Sequence, residues 1–260
     1  MTIPKKIHYC WFGGNELPEL TIQCIESWKK FCPDYEIIRW DESNVDLNSC
    51  QFVKEAYAAK QWAFVSDYIR LKVVEACGGI YLDTDVELLT SLEPFLNLQA
   101  FMGFQFDDRH LVASGLGFGA IAHHPALKAL MSTYEHIPFI QANGSYDTTP
   151  CPDRDTRVLE QFGLKRNNTT QRLEVEQYAI TIYSSDYFCP KSYEGDEHFT
   201  DNTVSVHHYD ASWLPEQERE KLRLKVHYKQ KFGPKLGKFM FKKHKQLLKI
   251  KRLLSGNQRK

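Results

Sequence analysis

Residues 77–89 read Cys77-Gly78-Gly79-Ile80-Tyr81-Leu82-Asp83-Thr84-Asp85-Val86-Glu87-Leu88-Leu89. Two glycines halt an apolar helical pattern that runs from Trp62 to Ala76, and Ile80-Tyr81-Leu82 then forms a short hydrophobic strand. Asp83 and Asp85 stand at or just past its carboxyl end. In open α/β sheets that edge is where ligands bind, because the loops there are free to take functional side chains. Magnesium and manganese are bound by one or two carboxylates, with substrate phosphates and water in the remaining positions. By itself a D-x-D triplet is more often a solvated loop; behind two glycines and an aromatic-aliphatic strand it points to a divalent cation and a phosphate.

The elements upstream predict the sheet. Lys6 to Phe12 is a strand ending at Gly13-Gly14. Leu20 to Phe31 is a helix with Ile22, Ile25 and Trp28 at helical spacing, and Tyr35 to Trp40 is a second strand. A strand–helix–strand opening predicts an α/β fold with a mostly parallel central sheet flanked by helices. Phe52 to Ala59 continues as helix. Further on, Val112 to Ala120 reads as a small-residue strand and His124-Pro125 opens a helix to about Glu135. Asn143 to Asp155 reads as loop, Arg157 to Phe162 as a short helix, 178–190 and 203–209 as strands, and 215–231 as helix.

Two more constellations carry chemistry. Asp67 and Arg70 are three apart on the apolar helix, hence on one face, and charges in such a setting must be paired. They form either a salt bridge that pins the helix or a pair that holds sugar or ribose hydroxyls and phosphate oxygens. Trp11 closes the first strand, and Trp213 follows His207-His208-Tyr209-Asp210-Ala211-Ser212. Each indole is either core or a ligand contact: Trp11 by stacking on a base, Trp213 by its N–H to a phosphate. His208 is a third metal-side candidate, or else an ordinary polar residue at a strand edge.

The chain has 260 residues and zero formal net charge, but residues 221–260 hold fifteen Lys or Arg and no Asp or Glu. The first 220 residues therefore carry −15, which predicts a catalytic domain over 1–220 and a basic amphipathic helical tail over 221–260, divided near Gly233-Pro234. Such a tail suits the anionic surface of a membrane; packing on the acidic remainder is the alternative. Nucleic acid is not expected as a partner, since no base-reading element accompanies the charge. Seven scattered cysteines without C-x-x-C or zinc spacing fit a reducing cytoplasm. The N-terminus shows no signal-peptide pattern, and no apolar run approaches the ~18 residues of a membrane span. The absence of H-E-x-x-H disfavours a zinc hydrolase.

Ile3 to Trp11, Ala63 to Arg70 and Gly78 to Asp85, with a late H-x-x-x-S-W at His208 to Trp213, together resemble the bacterial and fungal glycosyltransferases with a DXD-containing sugar-binding region. That family includes capsular-polysaccharide enzymes and initiating mannosyltransferases, and is distantly similar to the glucosyltransferase domains of large clostridial toxins. The resemblance implies a GT-A nucleotide-diphosphosugar transferase fold and manganese (or magnesium). It also implies retaining transfer of a hexose or N-acetylhexosamine. The donor would be a UDP-sugar, with a GDP-sugar as second choice. The acceptor would be a saccharide or lipid-linked oligosaccharide of a bacterial surface or capsular polysaccharide, at the inner face of the cytoplasmic membrane. Carried over by position, Trp11 would stack on the base, and Asp67 and Arg70 would hold donor sugar and ribose. Asp83 would contact the donor and organise the metal, Asp85 would ligate it, and Ser212 and Trp213 would cover the diphosphate. The family's Gly-Pro-bearing middle motif stands here as Thr148 to Asp155. A nucleotidyltransferase acting on sugar phosphates and a noncatalytic sugar-binding module are the rival readings.

Overall fold

A computed structural model describes residues 2–210 and 216–256. The chain divides into two compact units, Met1–Ser192 with Glu197–Tyr209 and Tyr193–Asp196 with Asp210–Lys260. The first opens as β1 (Lys6–Cys10), α1 (Glu19–Phe31), β2 (Glu36–Trp40), α2 (Gln51–Ala58), α3 (Trp62–Cys77), β3 (Gly79–Tyr81) and β4 (Val86–Leu88). It continues through β5 (Ala100–Gly103), a 3-10 turn (Ser114–Leu116), β6 (Phe118–Ala120), α4 (Pro125–Glu135) and α5 (Cys151–Gln161). It ends with β7 (Gln171–Val175), β8 (Tyr178–Tyr183), α6 (Ser185–Phe188) and β9 (Ser205–His207).

Seven strands form one sheet in the order β2-β1-β3-β6-β5-β8-β7, and β4 pairs with β9 in a separate antiparallel ribbon. The sheet is mixed rather than mostly parallel: β2-β1, β1-β3 and β5-β8 are parallel, whereas β3-β6, β6-β5 and β8-β7 are antiparallel. Crossover helices set parallel pairing among the first three strands, and α4 and α5 lie between β5 and its parallel partner β8. β5 reaches β6 without a helix between them, so the chain returns antiparallel. β6 is also shorter than the small-residue stretch predicts, because Ser114–Leu116 turns and Gly117 takes a φ of 113° before the strand begins. Residues 151–155, read as loop, form the first turns of α5, with Pro152 in the opening turn where its missing N–H costs nothing. β4, β5 and β7 are short or edge strands that sequence periodicity does not reveal. Residues 184–190, read as strand, turn into α6.

Side-chain alternation sorts the sheet into two faces. Tyr81, Ala100, Met102 and Ile180 pack with α2, α3, α4 and α5, while Ile80, Phe101 and Leu82 pack with α1, β4 and α6. The glycine pair is explained here. Gly78, at φ 63°, ends α3, and a Cβ on Gly79 would stand 2.7 Å from His8 Nε2. His8 is fully buried, accepting from Trp40 Nε1 at 3.0 Å through Nδ1 and reaching Gly78 O at 2.9 Å through Nε2. That is one neutral tautomer, and burial correspondingly lowers its pKa.

In the second unit α7 (Glu216–Gly256) is two helical pieces broken at Gly233, where φ is 75°. Tyr228 OH meets His244 Nδ1 at 2.8 Å, sixteen residues along, which a straight helix would hold about 24 Å apart, so the pieces fold back into a hairpin. Gly237 packs directly on the Tyr228 carbonyl. The charge switch at 220–221 falls inside α7. Lys225 and Lys229 pair with Glu194 and Asp196 of the same unit.

The buried Trp28 on α1 donates Nε1–H to Val86 O at 2.8 Å and thereby seats β4. Urea denaturation should show Trp28→Ala costing about 3–5 kcal/mol for lost packing. Trp28→Phe should cost about 1–3 kcal/mol, mainly for the unsatisfied carbonyl.

Candidate active site

α3 is apolar on nearly all sides, so the two charged residues it buries must satisfy each other or the sheet. They do both. Arg70 Nη2 lies 3.1 Å from Asp67 Oδ1 and 3.2 Å from Asp83 Oδ1, and the guanidinium sits 5.2 Å from the centre of the Tyr81 ring. Tyr81 OH donates to the same Asp83 oxygen at 2.8 Å. Tyr81 and Asp83 share strand parity, so both face α3. Of the two alternatives for Asp67 and Arg70 the structure shows the salt bridge, and its third member is the first aspartate of the D-x-D.

Burial raises the pKa values of Asp67 and Asp83, and the Arg70 charge opposes it in both. For Arg70 itself burial disfavours the charge, but Asp83, Tyr81 and Asp67 hold it firmly ionised. Arg70 Nε has no hydrogen-bond partner among the described residues. Gly115, in the 3-10 turn, closes over this group. A Cβ there would come within 2.7 Å of Asp83 Oδ2 and 3.2 Å of Arg70 Nη1, so no side chain fits.

The second aspartate meets a residue from the far end of the unit. Val86 pairs with His207 in the β4–β9 ribbon, and His208 N–H donates to Asp85 O at 2.9 Å. His207 Nε2 lies 3.2 Å from Asp85 Oδ1. Burial lowers the His207 pKa, but the adjacent Asp85 carboxylate outweighs it and the net shift is upward. One oxygen each of Asp83 and Asp85 and one nitrogen of His207 lie within 4.8 Å of one another. Such a mixed carboxylate–imidazole set fits a divalent cation. The histidine brought to the acidic pair is therefore His207. His208, singled out from the sequence, turns to the other side and meets Glu87 Oε2 at 2.9 Å, as neighbours on extended chain must.

Asp155, the last residue of the Thr148 to Asp155 stretch, is given no role of its own from the sequence. It is fully buried on α5, accepts from Ser114 N–H at 2.8 Å through Oδ2, and leaves Oδ1 without a partner among the described residues. Burial pushes its pKa up to about 7 against the Ser114 hydrogen bonds. Reading α5 from Cys151 would have found it, since Asp155, Val158 and Leu159 share one buried face. His207 had no such signal, because strand register across the chain is not written in local pattern.

Trp11, half-buried, donates Nε1–H to Asn15 O at 2.7 Å. Beside it a cavity of about 590 Å³ is lined by the Gly13–Asn15 loop, Glu42, Tyr57, Lys60 and Trp62. The loop continues from β1 and Trp62 starts α3, so the cavity lies at the same sheet edge as Asp83. Ser212 and Trp213 lie outside the described residues.

Residues 18–102 match the family described as glycosyltransferase sugar-binding region containing DXD motif. Inositol phosphoceramide mannosyltransferase 3 of Schizosaccharomyces pombe is 31% identical over 148 residues, 53% of this chain and 38% of that protein. Mannosyl phosphorylinositol ceramide synthase SUR1 of Saccharomyces cerevisiae is 28% identical over 197 residues, 70% of this chain and 49% of that protein. The chain spans 17–49% of the length of the curated relatives it matches. Among solved structures, PaToxG glycosyltransferase aligns with a TM-score of 0.47 at 20% identity, over 62% of this chain and 70% of that one. Through residues 18–102, with Asp83 and Asp85 as the D-x-D, the chain is related to glycosyltransferases that carry a DXD-containing sugar-binding region.

Proposed function

We propose that this protein is a metal-dependent retaining glycosyltransferase of GT-A type. It moves a hexose or N-acetylhexosamine from a nucleoside diphosphosugar to a saccharide acceptor, in particular a lipid-linked oligosaccharide of a surface or capsular polysaccharide. The observation that carries this is the convergence of Asp83, Asp85 and His207 beside the buried Asp67–Arg70 pair. Asp83, Asp85 and His207 would hold a divalent ion, which would supply charge neutralisation to a leaving diphosphate. The chain's own residues do the rest. Arg70 and Tyr81 fix the Asp83 carboxylate in place, so no reorganisation is needed when charge develops. Asp67 and Arg70 also bind donor hydroxyls. The C1–O bond to the diphosphate breaks, the acceptor oxygen bonds to C1 on the same face, and the acceptor proton passes to a diphosphate oxygen.

The test is release of nucleoside diphosphate from a panel of UDP- and GDP-sugars with manganese. Asp85→Asn should lower turnover on the order of 10²–10³-fold, the scale for removing one electrostatic contact to developing charge. Measured above the His207 range, where the His207–Asp85 pair no longer contributes, its thermal transition should stay near wild type, because Asp85 sits at a strand end. Near-normal turnover in that variant would reject the assignment.

The raised pKa of His207 gives a pH signature. A proton and a metal compete for its nitrogen, so manganese affinity measured without donor should fall as pH drops through the His207 range and recover above it. His207→Gln should flatten that dependence. In the metal-free protein the sign reverses for stability. The His207–Asp85 pair stabilises fully below the unfolded histidine pKa of about 6.5, and its contribution is lost as pH rises through the higher folded value.

The tail belongs to the same reading as a peripheral anchor on an anionic membrane surface, at the cytoplasmic face. No described helix is long and apolar enough to cross a membrane. Leu236 and Phe239 are half-exposed on the hairpin, at 52% and 53%, amid Lys235, Lys238, Lys242 and Lys243. Co-sedimentation with phosphatidylserine vesicles at low salt should retain the full chain and lose a truncation at Glu220, and salt should weaken it.

A further inference from the structure

The cavity at the β1 edge has a polarity that bears on which donor base it accepts. Its wall is aromatic: Tyr57 and Trp62 pack with ring centroids 5.1 Å apart. Its rim is the Gly13–Asn15 loop, held from two sides. Trp11 Nε1–H donates to Asn15 O, and Gly13, at φ 92°, lies so close to Trp62 that a Cβ would stand 2.7 Å from the indole nitrogen. The polar group inside is the carboxylate of Glu42. Gly13 N–H donates to its Oε1 at 2.6 Å and Tyr57 OH approaches the same oxygen at 3.5 Å, while Oε2 makes no hydrogen bond among the described residues. Lys60 lines the cavity as well, with an exposed side chain.

A carboxylate only accepts, so it selects a base edge made of donors. Guanine offers N1–H and the exocyclic N2–H2 side by side, which a carboxylate takes as a charge-assisted bidentate pair, and its O6 suits the neighbouring lysine. Uracil offers one N–H flanked by two carbonyl oxygens, both of which a carboxylate repels. Adenine places an acceptor where guanine has N1–H. Stacking on indole or phenol is available to any base and does not discriminate.

The path to the metal-side residues fits as well. Trp62 and Arg70 lie eight residues apart along α3, about 12 Å of helix. A base against Trp62 therefore directs its diphosphate along α3 towards Arg70 and Asp83.

We propose that this cavity is the base pocket for a guanosine diphosphosugar, with Glu42 reading N1–H and N2–H2, Lys60 meeting O6, and Tyr57 and Trp62 as the apolar wall. This departs from the uracil expected from the sequence, and it rests on the sugar-transfer reading above. Titration calorimetry with GDP, UDP and ADP in the presence of manganese tests it. Wild type should bind GDP roughly tenfold or more tighter than UDP or ADP, the scale of one bidentate base contact. Glu42→Gln still offers Gly13 an acceptor oxygen but turns an amide towards the base. It should lose roughly tenfold in GDP affinity and leave UDP unchanged or tighter, since the repulsion of the uracil carbonyls is removed. Lys60→Gln, on an exposed side chain, is the second probe and should weaken GDP severalfold without weakening UDP. Equal or tighter binding of UDP would overturn the base assignment and leave sugar transfer standing. A GDP preference that survives both substitutions in folded protein would equally overturn the roles of Glu42 and Lys60. Binding of no nucleoside diphosphate, with no turnover of any sugar donor, would sink both readings.

Discussion

Placing a guanidinium inside an apolar layer is costly unless its charge is matched on the spot, and much of this site follows from how Arg70 meets that demand. It does so with one aspartate from its own helix and one from the end of the adjacent strand. The bridge locks α3 to the carboxyl edge of β3 and fixes the orientation of Asp83 together with the Tyr81 hydroxyl. It also explains why Gly115 has no side chain, since the space a Cβ would need is taken by the Asp83 carboxylate. A preorganised carboxylate is what metal-assisted transfer of a charged leaving group requires. The helix–sheet anchor and the floor of the candidate site are therefore one ion-pair network.

The second half of the cluster is assembled by a different device. Asp85 leads directly into β4, a three-residue strand too short to stand alone. β4 is held on one side by the Trp28 indole and on the other by β9, more than a hundred residues later. That pairing delivers His207. The two aspartates are thus supported independently, Asp83 from the helix side and Asp85 from the ribbon.

Charge is distributed as unevenly in space as along the chain. Arg70 pairs with Asp67 and Asp83, Asp85 meets His207, and Asp155 is buried on the Ser114 N–H, where burial raises its pKa to about 7. An excess of carboxylates over cations leaves room for a divalent ion. The basic residues gathered in α7 find their acidic partners among the described residues in their own unit: Glu194, Asp196, Asp210 and Glu218.

The sequence alone determined the parts of this protein whose physics is local. Helical spacing marked α1 and α3, two glycines and an apolar triplet marked β3, and the interval of three in α3 put Asp67 and Arg70 on one face. The D-x-D at a strand end was legible for the same reason. What tertiary structure decided was everything that depends on which strand lies beside which, and in what direction. Antiparallel insertion of β6 made the sheet mixed, because alternation encodes a buried face but not a partner or a polarity. The β4–β9 register chose His207 over His208, since slipping by one residue exchanges the two sides of a strand. Asp155 was hidden by a loop-like composition that its prolines only partly justified, as Pro152 opens a helix instead of breaking one. Glu42 and Trp62 meet at one cavity only because β1 and α3 share an edge, a proximity that no local pattern in the chain records.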